Sequence, residues 1–169
     1  MEVTLDLLLA SRDERWQHQQ ELLRQNPDLT LVCLTVVMPG KVKRDNRSLI
    51  VAMSAVDAIR EEFDSQVVSF EERDLPTGFE AYMLCSADLL DAKRRVCQIE
   101  ETHPLGRLFD LDVIRTDGTP VSRTELGMAG RKCILCDNEA RYCMRNHTHS
   151  QEELQAHITN LIDNYVHRV

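Results

Sequence analysis

At 169 residues, 43% of them hydrophobic, the chain is long enough to bury one sizeable core and short for two, which predicts a single domain over 1–169. A net charge of −8 makes it a poor general binder of nucleic acid, where affinity rests on neutralised phosphates, so no nucleic-acid partner is expected. The longest apolar run, Leu29 to Pro39, is far shorter than the ~20 residues that span a bilayer, and the acidic start Met1-Glu2-Val3-Thr4 is unlike a secretory signal; no membrane association and a cytoplasmic location are expected.

In chain order, Ser11-Arg12-Asp13-Glu14 has capping-box spacing and predicts a helix to about Gln25, closed by Asn26-Pro27. Trp16 and Leu23 with Leu5, Leu8 and Leu9 would form its buried stripe, with a short helical turn before Ser11. Leu29 to Met38 reads as a buried strand closed by Pro39-Gly40. Leu49, Ala52, Met53, Val56, Ile59 and Phe63 recur at helical spacing and predict a helix over Arg47 to Glu62. Two strands follow, Gln66 to Phe70 and Phe79 to Cys85, then a helix capped by Ser86 and ended by His103-Pro104-Leu105-Gly106. Phe109 to Arg115 is a fourth strand, and Asp117-Gly118 turns it towards a partner beginning near Thr119. A second capping box, Ser150 with Glu153, opens a final helix carrying Leu154, Ile158, Leu161, Ile162 and Tyr165 on one side. The order strand, helix, strand, strand, helix, strand predicts an α+β fold: a ferredoxin-like βαββαβ core, helices on one face of its sheet, with an N-terminal helix and a C-terminal cysteine-bearing loop plus helix.

Along the fourth strand, Phe109, Asp110, Leu111, Asp112 and Val113 alternate, so both carboxylates share one face. Like charges ~7 Å apart repel mildly, and a divalent cation between them turns repulsion into binding; Mg2+ is the functional reading, a solvated polar face the plain one. The turn upstream sets Arg107 near them, and phosphoryl transfer needs a metal and a cation of this kind. Two basic islands stand out in the acidic chain, Lys41 to Arg47 and Arg131 to Arg145, suited to a polyanion or else ordinary solvated loops. Cys133, Cys136 and Cys143 with His147 or His149 supply the ligand types of structural Zn2+, although buried free thiols fit the same letters. Cys33, Cys85 and Cys97 stand singly, unlike a disulfide framework. His149 before Ser150 and His103 before Pro104 read first as structural histidines.

Several segments together resemble the citrate lyase holo-acyl-carrier-protein synthase family, also called apo-citrate lyase phosphoribosyl-dephospho-CoA transferase. They are Ser11-Arg12-Asp13-Glu14-Arg15, Pro39-Gly40 with Lys43, His103 through Val113, Ser122-Arg123, Arg131 through Cys136, Ala140, Cys143 with Arg145, and His149. The long block ending in Asp112-Val113 and the cysteine block are the specific ones; about Ser48 to Ser86 matches mainly in pattern.

The resemblance implies transfer of the phosphoribosyl-dephospho-CoA moiety from its 5-triphosphoribosyl precursor to a serine of the citrate lyase acyl-carrier protein, with diphosphate leaving. On that chemistry Asp110 and Asp112 hold Mg2+, Arg107 completes the catalytic set, and Lys43 binds departing charge with it. His103, Gly106, Arg123, Arg131, Arg145 and His149 join Lys43 as substrate-binding candidates; the general base is one of the aspartates or His149. The nucleophile belongs to the carrier, so none is needed here. The competing expectation is a non-catalytic, zinc-stabilised interaction module of an enzyme complex. RNA binding on the sheet is disfavoured by 5% aromatic residues and the negative charge.

Overall fold

The computed structural model describes residues 2–168. Helix α1 (Leu5–Gln25) leads into strand β1 (Thr30–Val36) and helix α2 (Asn46–Phe63). A hairpin of β2 (Val67–Leu75) and β3 (Gly78–Cys85) follows, then helix α3 (Leu89–Thr102) and β4 (Phe109–Ile114). The chain ends in the short helix α4 (Ala140–Asn146) and helix α5 (Gln151–Val166). The strands form one antiparallel sheet in the order β2-β3-β1-β4. This mixed α+β arrangement puts β1 and β3 in the middle, which explains why the near-continuous apolar letters of both are buried.

The side-chain period of two splits the sheet into two unlike faces. On one, Val32, Leu34, Ala81, Met83, Leu111 and Val113 pack with Val51, Val56 and Ile59 of α2, Val96 of α3 and Ile158 and Ile162 of α5. On the other, a smaller cluster of Leu31, Cys33, Tyr82, Leu84 and Ile114 meets Leu23 of α1. The two helices of the core, α2 and α3, share one face as expected, and the N-terminal helix α1 covers the second.

The start of α1 differs from the expectation. Thr4, not Ser11, caps the helix, its side chain accepting from the Leu7 N–H. Ser11 sits buried in the second turn, its hydroxyl engaged with Thr77 and Glu80. The apolar stripe predicted for α1 is also largely absent: Trp16 is 58% exposed and Leu5 70%, and only Leu23 of that set is buried. The sheet face beneath α1 is polar towards β2 and the β4 edge, so Arg15, His18 and Gln19 meet it rather than leucines.

Smaller differences have local causes. Asp88, not Ser86, caps α3, accepting from the Leu90 and Asp91 N–H groups. The partner strand expected near Thr119 shrinks to a single bridge between Ile114 and Pro120, because proline has no N–H to extend a ladder. Gly106 begins a tight turn against the end of α3, where a Cβ would fall inside contact distance of the Glu100 and Ile99 carbonyl oxygens. The Ser150–Glu153 capping box forms as predicted. None of the described helices is long and apolar enough to cross a membrane.

Candidate active site and metal centre

Strand β4 is an edge strand, and its alternation is carried into three dimensions: Phe109, Leu111 and Val113 point into the core, while Asp110 and Asp112 face the α1 side. The register extends two polar rows across the sheet. Asp110 lies beside Thr35, then Glu80 and Arg73; Asp112 lies beside Cys33, then Tyr82 and Glu71.

The carboxylate pair is unevenly solvated. The Asp110 side chain is half exposed, accepts from the Thr35 hydroxyl at 3.4 Å and has the Arg131 guanidinium 3.7 Å away. Asp112 is deeper, and burial, reinforced by the charge of Asp110 and opposed by Lys93, pushes its carboxyl above the usual carboxylate range. Two neighbouring carboxylates, one of them open to solvent, are the oxygen ligands that a divalent cation such as Mg2+ takes.

The free edge of β4 is held by buried charges from α3. Glu100, 4% exposed, accepts from the Leu111 N–H at 2.9 Å, and Lys93, 5% exposed, donates to the Leu111 carbonyl. Glu100 also receives the Arg123 guanidinium at 2.5 Å and has Arg131 3.7 Å away. Removing it strands a backbone N–H and leaves Arg123 with only Glu101. Glu100→Ala is accordingly expected to lower unfolding free energy by about 3–5 kcal/mol in urea titration; a loss under about 1 kcal/mol would show that the edge is not tied through this side chain.

Arg107 stands in the same neighbourhood with no ion-pair partner among the described residues. Its pKa is lowered by burial and by the charges of Arg131 and Arg123. A guanidinium without a carboxylate partner, beside two others, is suited to an anion such as phosphate. Arg131 is fixed from both ends, its guanidinium donating to the Gly106 and Arg107 carbonyls and its own carbonyl accepting from the Ala140 N–H.

On the other side of Asp110 a cleft of about 320 Å³ opens between α1 and the sheet, lined by Arg12, Arg15, Lys43, Thr35, Glu80 and Asp110 among others. Lys43 donates to the Met38 carbonyl at 2.6 Å, and burial lowers its pKa. Glu80, 3% exposed, accepts from Arg15 at 2.9 Å and from the Tyr82 hydroxyl at 2.5 Å. Sequence reasoning gave neither Glu80 nor Arg15 a role. The available signal was one acidic letter inside the apolar strand Phe79–Cys85, with period two placing it on the Asp110 face.

The cysteine cluster closes as a metal-ligand set: one atom each from Cys133, Cys136, Cys143 and His149 lies within 4.8 Å of the others. Cys136 Sγ is 3.5 Å from Cys143 Sγ and 3.4 Å from His149 Nε2. A zinc tetrahedron with ~2.3 Å arms has edges of roughly 3.7 Å, so small adjustments suffice. At Cys133 burial is outweighed by backbone N–H groups of Leu135 and Cys136, which hold the thiol below its ordinary pKa, while burial and the neighbouring thiols raise that of Cys143. Cys133, Cys136 and Cys143 with His149 were legible as candidate ligands in the sequence, and the fold sets these four side chains together. Short α4, which supplies Cys143, was not anticipated.

The remaining predicted positions are dispersed. His103 lies on the opposite side of the sheet, its ring 4.8 Å from that of Phe109 and its Nδ1 accepting from the Leu105 N–H, with its pKa lowered by burial. The depression it borders, of about 550 Å³, also carries Glu61 and Glu62 and repels anions. Arg145 is exposed on α4, and Gly106 acts through its backbone. The structure thus sets Arg131 beside Asp110, Arg107 beside Arg131 and Arg123, and Lys43 in the cleft that Asp110 also lines, sets His149 in the cysteine cluster, and leaves His103 and Arg145 apart.

Comparison with known proteins places the chain in a family. The family model described as CitX, apo-citrate lyase phosphoribosyl-dephospho-CoA transferase, matches residues 3–165. A "Probable apo-citrate lyase phosphoribosyl-dephospho-CoA transferase" of Vibrio cholerae serotype O1 (strain M66-2) is 37% identical over 171 residues, covering 98% of this chain and 94% of the relative. The like-named protein of Streptococcus pyogenes serotype M18 (strain MGAS8232) is 34% identical over 170 residues, covering 98% and 88%. In "Protein CitXG" of Haemophilus influenzae (strain ATCC 51907 / DSM 11121 / KW20 / Rd) the similarity, 34% over 166 residues, covers 96% of this chain but 36% of that longer protein. On a match that runs almost from end to end, the chain belongs to the apo-citrate lyase phosphoribosyl-dephospho-CoA transferase family.

Proposed function

We propose that the chain is a single cytoplasmic transferase domain on a ferredoxin-like core, carrying the phosphoribosyl-dephospho-CoA group from its 5-triphosphoribosyl precursor to a serine of the apo citrate lyase acyl-carrier protein. The strand order β2-β3-β1-β4 with α2 and α3 as crossovers supports the core assignment. The observation that carries the functional reading is the meeting, at Asp110, of a carboxylate pair with cations on two sides: Lys43, which lines the same cleft, and Arg131, 3.7 Å away and itself beside Arg107. A non-catalytic module has no need of that arrangement.

In the reaction the carrier serine oxygen attacks the α-phosphorus of the precursor, the new O–P bond forms as the bond to diphosphate breaks, and the serine proton passes to the Asp110/Asp112 pair. His149 is engaged with Cys136 and is not assigned as base. Arg107 and Lys43 take the charge that gathers on the departing diphosphate. Arg131 orients Asp110, and Arg123 keeps Glu100 and the β4 edge in place. Mg2+ bound by Asp110 and Asp112 would supply further neutralisation of phosphate oxygens. Zn2+ in the cysteine cluster would be structural, since all four positions are filled by protein.

Diphosphate release tests the reading. It should require apo carrier and equal the amount of carrier modified; release at the same rate without carrier would mean the chain hydrolyses the precursor instead.

A further inference from the structure

The cleft beside Asp110 has two chemically different halves. Leu5, Leu8 and Leu9 from the first turns of α1 form one lip, and Arg12 and Arg15 further along the same helix, with Lys43, supply the cationic part of the lining. Both halves have unspent capacity. Arg12 enters none of the ion pairs among the described residues. Arg15 uses its Nε on Glu80, and its terminal nitrogens have no protein acceptor among the described residues. Lys43 uses one donor on a carbonyl. On the lip, Leu5 is 70% and Leu9 47% exposed although each faces a depression. Exposed leucines beside unsaturated cations match a molecule with a polyphosphate at one end and a long, less charged organic part at the other.

We propose that this cleft is the donor site, with the polyphosphate on Arg12, Arg15 and Lys43 and the dephospho-CoA arm along the leucine lip. The assignment rests on the transferase reading, since Asp110 is shared by the cleft and the carboxylate pair. Glu80 is then a positioning residue: buried against Tyr82, it fixes the Arg15 guanidinium so that its free edge faces the cleft.

Calorimetric binding without carrier, using inorganic tripolyphosphate and the triphosphoribosyl-dephospho-CoA precursor as probes, tests the site on the full chain. Arg12 and Leu5 are exposed, so Arg12→Ala and Leu5→Ser leave the fold intact. Arg12→Ala should weaken both probes by about tenfold, the size of one charge-assisted contact. Leu5→Ser should weaken the precursor severalfold and leave tripolyphosphate unchanged. Wild-type affinity for both probes in both variants overturns the site, as does a loss in Leu5→Ser that is equal for the two probes. The transferase reading is scored separately, by carrier mass: variants that bind and transfer as wild type refute the cleft alone, and a wild-type chain that binds the precursor without modifying carrier refutes the reading alone.

Discussion

Asp110→Asn should reduce carrier modification by about two to three orders of magnitude, the cost of removing one preorganised charge from a phosphoryl-transfer site, with little change in stability. The side chain is half exposed, and its protein contacts are one long hydrogen bond to Thr35 and one 3.7 Å approach to Arg131. Such contacts contribute about 0–1 kcal/mol. Asp112→Asn separates activity from stability further. Its carboxyl is pushed up by burial and by Asp110, so the folded state disfavours its charge. As pH rises from the unfolded carboxylate range to the raised folded value, the unfolded chain releases a proton that the folded chain keeps, and stability falls. The amide removes this penalty. Asp112→Asn should therefore lose transfer while unfolding at an equal or higher urea concentration, and its stability should no longer decline through that pH window. Normal transfer by either variant, measured by carrier mass, would remove the carboxylate pair from the chemistry.

The second large effect concerns the cysteine cluster. Isolated protein should contain about one zinc per chain, and Cys136→Ser, which removes the ligand nearest both Cys143 and His149, should lose it. Because Arg131 and Ala140 are joined by a backbone hydrogen bond at the base of this loop, opening the cluster frees Arg131 from Asp110 and Glu100. Metal binding to a preformed site is folding free energy, so the metal-free chain should melt several degrees lower and be cut first between Arg131 and His149 in limited proteolysis. Metal analysis, thermal unfolding with a chelator and the cleavage map check this together. A protein isolated without metal whose melting is indifferent to both chelator and the substitution would show that the thiols are only packed together.

What could be read in the letters was what depends on local period and spacing. The alternation from Phe109 to Val113 placed both aspartates on one face, the helical spacing from Leu49 to Phe63 placed α2 to within a residue, and the cysteine spacing marked the ligand set. What was missed depends on tertiary context. Ser11-x-x-Glu14 satisfies the capping-box pattern, yet the Ser11 hydroxyl is spent on Glu80 and Thr77, some 70 residues away in sequence. Nothing local in the letters of α3 marks Glu100 and Lys93; only the unpaired edge of β4 makes them buried partners of Leu111. The seven residues of α4 carry no apolar periodicity, and its Cys143 is held by the cluster rather than by propensity.

Incubating the metal-replete chain with apo citrate lyase acyl-carrier protein, the triphosphoribosyl-dephospho-CoA precursor and Mg2+, and weighing the carrier by mass spectrometry, bears most directly on the transferase assignment. The carrier should gain the mass of one phosphoribosyl-dephospho-CoA group and should fail to gain it when its acceptor serine is replaced by alanine. An unchanged carrier mass with folded protein and intact precursor would contradict the assignment.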